Sequence, residues 1–216
     1  MKSLFLTIML LFTISEVYGQ PCGKLKVKYE NKIYNTVQIG NQCWLRENLD
    51  VGTRINGSKD ARDNDKIEKY CYADRESNCE TYGGLYQWDE AMGYSRIEGA
   101  QGICPTGWHI PTYAEFEVLR AAVNEDANSL KAIGQGDRET GENGTGTNTS
   151  GFSALLSGQR DINGILDYLG ITTKFWSSTE YYDEYAYVIK LSCCSRYSSL
   201  GNLYKVEGFS VRCVKD

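Results

Sequence analysis

Eight cysteines carry the most distinctive chemistry in this sequence of 216 residues. An even number of thiols is typical of disulfide bonds in an oxidising compartment, and the main rival use is zinc binding. Zinc sites draw on C-x-x-C pairs or several histidines, but the chain has no C-x-x-C pair and a single histidine. We therefore predict disulfides, and no metal site, for Cys22, Cys43, Cys71, Cys79, Cys104, Cys193, Cys194 and Cys213.

The positions of four cysteines favour two particular bridges. Cys71 and Cys79 flank a short polar segment, so a bridge between them would close a local loop. Cys104 and Cys213 lie beside apolar and aromatic stretches that are far apart in the chain. A bridge between them would tie the C-terminal strand to the middle of the sequence, and such long closures stabilise a fold by about 4–5 kcal/mol.

The other four cysteines leave more than one pairing open. The adjacent Cys193 and Cys194 could form a vicinal disulfide, which is strained and rare, or each could bond a different partner. We favour separate partners, with Cys22 and Cys43 as the candidates.

Residues suited to catalysis are few. His109 is the only histidine, and it lies between Trp108 and Ile110 just before a predicted helix cap. This position favours a buried, hydrogen-bonded role over that of a general base. Cys193 and Cys194 could act as a redox pair, but Arg196 is the only basic neighbour that could lower a thiol pKa. We therefore expect that the protein is not an enzyme.

Aromatic residues supply the candidate binding surface. The chain has 16 tyrosines, and several of them cluster near Trp176, with Tyr197 and Tyr204 following on later strands. Exposed rings can stack on sugars or contact a protein partner, although strands favour aromatic residues for core packing as well. The candidate binding residues are Trp176, Glu180, Tyr181, Tyr182, Tyr185 and Tyr187.

Two acidic segments bear on metal binding. Carboxylates on exposed loops suit calcium, but the first segment lacks the glycine turn and closing glutamate of an EF-hand, and the lectin Glu-Pro-Asn signature for calcium and sugar is absent. We therefore predict no cofactor, with calcium as the alternative that stays open. The residues concerned are Asp60, Asp63, Asp65 and Glu68 in one segment and Glu180, Asp183 and Glu184 in the other.

The elements that carry these residues are short strands with one clear helix. Alternation of apolar residues predicts a β-hairpin over 25–39 and a strand over 42–45, followed by a polar loop over 50–68 and a short strand over 69–73. Thr112 and Glu115 form a predicted capping box at the start of a helix.

The second half of the chain is predicted to be mostly strand. A shorter helix is expected over 128–133 and a surface loop over 134–150, which is rich in Gly, Thr and Asn. Segments rich in β-branched and aromatic residues then predict strands. The fold class is therefore α+β, with short antiparallel strands, one or two helices, long loops and disulfides. The predicted strands are 151–155, 171–176, 185–192, 202–206 and 209–214.

The first 19 residues predict export. A short positive start precedes an apolar run from Leu4 to Ile14, and cleavage is expected after Gly19. The run is too short to span a bilayer, which takes roughly 20 residues. A lipoprotein anchored at Cys22 is disfavoured because Gln20 and Pro21 precede it. We expect residues 1–19 to be a signal peptide and residues 20–216 a single domain without membrane insertion.

Charge and location limit the partners. The net charge of −5 and the lack of a Lys/Arg block give no surface suited to nucleic acid or anionic lipid. Export places the domain in the medium, the periplasm or at the cell surface. A protein or a glycan at the cell surface is therefore the expected partner.

Six ordered motifs carry a resemblance to a known family. Together they resemble the Fibrobacter succinogenes major paralogous domain family of exported proteins in Bacteroidetes-type bacteria, over about residues 33–216. The resemblance implies a C-type lectin-like fold, distantly similar to formylglycine-generating enzymes, in which the C-terminal strand pairs toward the N-terminal hairpin. The motifs are GNQCWLRENL at 40–49, YGGLYQW at 82–88, CPTGWHIP at 104–111, GFSAL at 151–155, WSSTE at 176–180 and GFSVRCVKD at 208–216.

Two departures from the family pattern add cysteines. Cys43 stands where the family is usually aromatic, and Cys193-Cys194 replaces a serine-rich stretch, which leads to the hypothesis of a disulfide joining these regions. The function we expect is that of a non-catalytic binding or structural module that recognises a protein or glycan. The alternatives are a calcium-dependent glycan-binding lectin and, with less support, an enzyme of the formylglycine-generating type.

Overall fold

The computed structural model describes residues 20–136 and 144–216. The predicted signal peptide and residues 137–143 of the predicted surface loop lie outside these ranges. Within them, no helix is long and apolar enough to cross a membrane. The described chain mixes helices and sheets, and the helices are few and short, as an α+β fold predicts.

The strands number twelve in the described residues, and most belong to two five-stranded sheets. The first sheet has the order β1-β2-β3-β12-β6 and the second has the order β11-β10-β9-β7-β8, while β4 and β5 form a small parallel pair. The strands are β1 Lys26–Tyr29, β2 Lys32–Ile39, β3 Gln42–Leu45, β4 Thr53–Arg54, β5 Glu68–Lys69, β6 Trp108–His109, β7 Ser157–Arg160, β8 Leu166–Leu169, β9 Thr172–Tyr182, β10 Tyr185–Ser192, β11 Ser199–Tyr204 and β12 Val214–Lys215.

The first sheet confirms the predicted hairpin and the next strand. Strands β1 and β2 pair through a turn at Glu30, whose φ of 49° is left-handed. Strand β3 is buried along its whole length because it lies between β2 and β12 and its alternate side chains pack in different hydrophobic clusters. Val214 of β12 pairs with Trp44 of β3, so the C-terminal strand joins the same sheet as the N-terminal hairpin and is separated from it by β3.

The second sheet differs from the predicted strands in several places. The predicted strand 171–176 belongs to the longer β9, and the predicted strand 202–206 begins earlier, at Ser199. Segments 151–155 and 209–214 were wrongly predicted, since they make mainly isolated bridges. Strand β7 was not predicted, because its sequence, Ser-Gly-Gln-Arg, has no apolar pattern. Every one of its residues is nevertheless buried.

The helices confirm the strongest capping signal. Helix α3 begins after Thr112, whose hydroxyl accepts from the Glu115 amide at 3.2 Å, and its Phe116 stacks on Trp44 at 5.8 Å. The predicted strand 69–73 is wrong beyond Lys69, because a 3₁₀ turn follows at Tyr72–Asp74. The helices are α1 Glu76–Tyr82, α2 Trp88–Ala91, α3 Tyr113–Ala122 and α4 Ala127–Leu130, of which α1 and α2 were not predicted.

All eight cysteines are in disulfides. The predicted bridges Cys71–Cys79 and Cys104–Cys213 are confirmed. The expectation of separate partners for Cys193 and Cys194 is wrong, since these neighbours bond each other, and so is the hypothesis that joined them to the region of Cys43. Four disulfides are typical of an oxidising environment.

The partner of Cys43 follows from the path of the N-terminal segment. The Gly23 amide donates to the Thr36 hydroxyl at 2.9 Å, which holds this segment against β2. Strand β2 in turn pairs with β3, where Cys43 lies opposite Gln38. The Cα atoms of Cys22 and Cys43 are therefore only 5.8 Å apart, and the two form the remaining disulfide.

His109 joins α3 to the C-terminus. Its Nε2 lies 2.9 Å from a Glu115 carboxylate oxygen and its Nδ1 lies 2.6 Å from Asp216 Oδ1. The hydrogen bond to Glu115 raises the pKa of His109; burial opposes this effect, and the bond to Asp216 adds to it. A raised pKa in the folded state stabilises the fold below the ordinary histidine pKa, and this contribution is lost as the pH rises through the folded-state value.

Replacement of His109 by glutamine should therefore have a pH-dependent cost. We expect a loss of about 2 kcal/mol in the free energy of unfolding near pH 6, where the imidazolium donates two charge-assisted hydrogen bonds. Near pH 9 the neutral ring has one donor, and the loss should fall below about 1 kcal/mol. Urea unfolding of wild type and His109→Gln at both pH values measures this difference. A loss that does not change with pH would contradict it.

Candidate functional site

The β9–β10 hairpin carries a cluster of tyrosines beyond the point where β9 leaves the core. Residues 172–178 of β9 are all buried, whereas Tyr181 and Tyr182 at its end are exposed. Asp183 and Glu184 form the turn into β10. We name the following residues the tyrosine surface: Tyr113, Tyr181, Tyr182, Tyr185, Tyr187 and Tyr204.

Ring contacts join the tyrosines of this surface into two groups, one of four rings and one of two. Tyr187 is central to the group of four, with its ring centroid 4.6 Å from that of Tyr113 and 5.3 Å from that of Tyr181. Tyr181 in turn contacts Tyr182 at 4.4 Å. Tyr185 pairs with Tyr204 of the neighbouring strand, also at 4.4 Å. Edge-on and tilted contacts of this kind are favourable between aromatic rings and limit their motion.

The outer rings are accessible to a ligand. Tyr182 is 67% exposed, Tyr181 41% and Tyr204 38%. Residues 180–185 line an open depression of about 510 Å³ at the hairpin tip, which brings Tyr185 and Tyr182 to one site. The arrangement presents apolar ring faces beside phenol hydroxyls and the exposed carboxylates of Asp183 and Glu184.

Two basic residues brace the base of this surface. Lys205 is buried, with its ammonium 3.0 Å from Glu180 Oε2 and donating to the Asp183 carbonyl at 2.9 Å. The Arg96 guanidinium approaches the same Glu180 oxygen at 3.3 Å. Lys205 also lies over the ring of Trp88, 4.2 Å from its centroid. These contacts connect the tip of the hairpin to Arg96 and to Lys205, which packs on the buried Trp88.

The prediction for Trp176 is wrong. This residue lies in the buried part of β9, where its ring contacts Phe209 at 4.6 Å and its indole N–H donates to the Tyr86 carbonyl at 2.7 Å. It has no exposed surface with which to meet a ligand. The other five predicted residues, Glu180, Tyr181, Tyr182, Tyr185 and Tyr187, lie together at or beside the hairpin tip.

Sequence reasoning missed part of the site. Tyr113 begins α3, 68 positions before Tyr181, and Arg96 and Lys205 come from distant loops. Their only sequence signal is residue type. Tyr113 reaches the site through the packing of α3 against β9 and β10, and Lys205 through the pairing of β11 with β10.

The predicted acidic segments do not assemble into a metal site. In residues 20–136 and 144–216, no group of three or more His, Cys, Asp or Glu side chains is arranged to hold a metal ion. Asp60 instead accepts from Arg160 at 2.8 Å, and Glu68 accepts from the Arg62 amide at 2.8 Å. These carboxylates are therefore engaged by protein donors.

A larger pocket, of about 660 Å³, lies between β4, β5 and α1. Three of its charged groups pair with one another, since the buried ammonium of Lys69 lies 2.5 Å from Asp50 and 2.8 Å from Glu76. Lys32 adds a second contact to Asp50 at 3.6 Å. This internal pairing leaves the tyrosine surface as the better candidate.

One comparison with known proteins identifies a family. The family model described as Fibrobacter succinogenes major domain matches residues 37–215, which is most of the chain. No curated protein and no solved structure matches the chain.

Proposed function

This chain belongs to the Fibrobacter succinogenes major domain family, and we propose that it is an exported, non-catalytic module that binds a glycan or protein at the cell surface. The tyrosine surface is the observation that carries the proposal. Four disulfides support export, because such bonds form and persist outside the reducing cytoplasm. All eight cysteines are in disulfides, so none presents a free thiol.

The proposal includes a C-type lectin-like fold. The pairing of β12 with both β3 and β6 supports it, because it brings the two ends of the domain into one sheet. The bridge from Cys104 to Cys213 fastens this closure. In such an arrangement the second sheet and its loops are free to present a ligand site.

The chemistry of the tyrosine surface suits either class of ligand. Ring faces stack on the apolar faces of sugars, while phenol hydroxyls and the carboxylates of Asp183 and Glu184 can bond sugar hydroxyls. Tyrosine is also enriched at protein interfaces, where it supplies contact area at a small cost in entropy. Preformed ring contacts reduce that cost further.

Replacement of the two most exposed adjacent rings tests the proposal. We expect Tyr181→Ala/Tyr182→Ala to weaken ligand binding by roughly tenfold or more, because aromatic anchors dominate such interfaces. The matched control is Tyr168→Ala on β8, which removes a ring of 52% exposure away from the site. A glycan array and binding to intact cells, each with all three proteins, provide the measurement.

Each arm of the experiment has a defined meaning. If wild type binds a glycan on the array and the double variant does not, the ligand is a glycan. If a chelator also abolishes this binding of the wild type, the protein is a calcium-dependent lectin. Binding to cells that survives enzymatic removal of surface glycans, and that the double variant loses, assigns a protein. A double variant that binds every tested ligand as tightly as wild type would reject the tyrosine surface as the site.

A further inference from the structure

A second pocket contains a fully buried arginine. The pocket holds about 260 Å³, and Arg212 forms its inner wall with only 1% of its surface exposed. The guanidinium lies over the Phe152 ring at 4.3 Å. Burial lowers the pKa of Arg212 to about 9, which still leaves it charged at neutral pH. A buried positive charge is costly unless an anion pairs with it.

The protein gives Arg212 dipoles but no contacting anion. Its guanidinium donates to the Leu45 carbonyl at 3.1 Å, to the Phe152 carbonyl at 2.6 Å and through two nitrogens to Asn48 Oδ1. A guanidinium has five N–H groups, so one on Nη2 is left without an acceptor among the described residues. No carboxylate in the described residues lies within ion-pair distance of Arg212.

A second arginine lines the same pocket without an ion-pair partner in the described part of the chain. Arg46 donates to the Gly151 carbonyl at 3.1 Å and to the Ser153 hydroxyl at 3.2 Å. The neighbouring Glu47 makes no ion pair with it among the described residues, and its oxygens accept from the Asn35 amide at 2.8 Å and the Asn35 side chain at 2.7 Å. Three cations and two carboxylates line the pocket, which makes it locally positive on a chain of net charge −5.

We propose that this pocket, which we name the arginine pocket, binds a small oxyanion between Arg212 at its inner wall and Arg46. The shared chemistry is that of a carboxylate, sulfate or phosphate group, since each offers oxygens to guanidinium donors in a fork geometry. The free N–H of Arg212 and the adjacent side chain of Arg46 supply the donors. The site is distinct from the tyrosine surface and does not depend on the function proposed for it.

Titration of the full mature chain with defined anions tests the proposal. Nε–Hε NMR signals of Arg212 and Arg46 are followed as sodium sulfate, sodium phosphate or sodium galacturonate replaces sodium chloride at constant ionic strength. We expect saturable shifts of both signals, and the tightest of the three anions identifies the source of the oxyanion. Arg46→Gln should weaken that binding at least roughly tenfold, since it removes one of two cationic partners.

Two further variants serve as controls for the anion titration. Arg62→Gln makes the same change in charge at an exposed position outside the pocket and should bind as wild type does. Arg46→Lys retains the charge and should bind more tightly than Arg46→Gln, which separates loss of a ligand contact from a general structural effect. Shifts that do not saturate, or that are equal in wild type and Arg46→Gln, would overturn the proposal.

Discussion

Replacement of Cys104 and Cys213 by alanine is expected to lower the free energy of unfolding by about 5 kcal/mol. This bridge closes a loop of 109 residues, and the entropy that such a closure removes from the unfolded chain grows with loop length. Both cysteines are fully buried where β12 meets the first sheet, so the bridge also fixes the C-terminal closure. A loss of this size is comparable to the whole stability of many domains.

The other three bridges provide a graded control for the same measurement. Loss of Cys22–Cys43, with a separation of 21 residues, should cost about 3 kcal/mol, and loss of Cys71–Cys79, with a separation of 8, about 2.5 kcal/mol. The bond between the neighbours Cys193 and Cys194 closes no loop, so its loss should have the smallest effect on the free energy of unfolding. Urea unfolding of the four double alanine variants measures the order. Equal losses, or a reversed order, would show that loop closure is not the cause.

The sequence predicts best where the signal is local. The hairpin of β1 and β2 follows from alternating residues on either side of a turn, and the capping box needs only Thr112 and Glu115. Both are decided by neighbours within a few positions. The tyrosines at the hairpin tip are local too, which explains why most of that cluster was found.

The failures arise where distant contacts decide. Trp176 has the same kind of aromatic neighbourhood as Tyr181, but it lies in the part of β9 that is buried between the two cores. Successive side chains of a strand point to opposite faces, so Phe175 packs in one hydrophobic cluster and Trp176 in the other, but the segment does not indicate that both faces are covered. Strand β7 has polar residues and owes its burial to neighbouring strands. The partner of Cys43 likewise depends on the path of the segment around Cys22, 21 positions away.

Arg212 is the clearest case of a residue whose role only the fold reveals. It lies between Val211 and Cys213 in a segment that was predicted as a strand, and its acceptors come from residues 45, 48 and 152. Its guanidinium thus joins the end of β3, the loop that follows it and the segment before β7. The cation also contacts the rings of Phe152 and Phe175, which adds favourable cation–π interactions in a buried setting.

Replacement of Arg212 by methionine should therefore destabilise the protein by about 3–4 kcal/mol. Methionine fills part of the volume but leaves the Leu45 and Phe152 carbonyls and Asn48 Oδ1 without these donors, at about 1–3 kcal/mol for each unsatisfied acceptor. Relief of the buried charge offsets part of this cost. Urea unfolding at neutral pH gives the difference from wild type.

Two further variants serve as controls for the stability of Arg212→Met. Arg62→Met makes the same substitution at an exposed position and should change stability by less than about 0.5 kcal/mol. Arg212→Lys keeps the charge but loses the planar fork, so it should fall between wild type and Arg212→Met. If Arg212→Met lay within about 1 kcal/mol of wild type, the three acceptors would have found other donors.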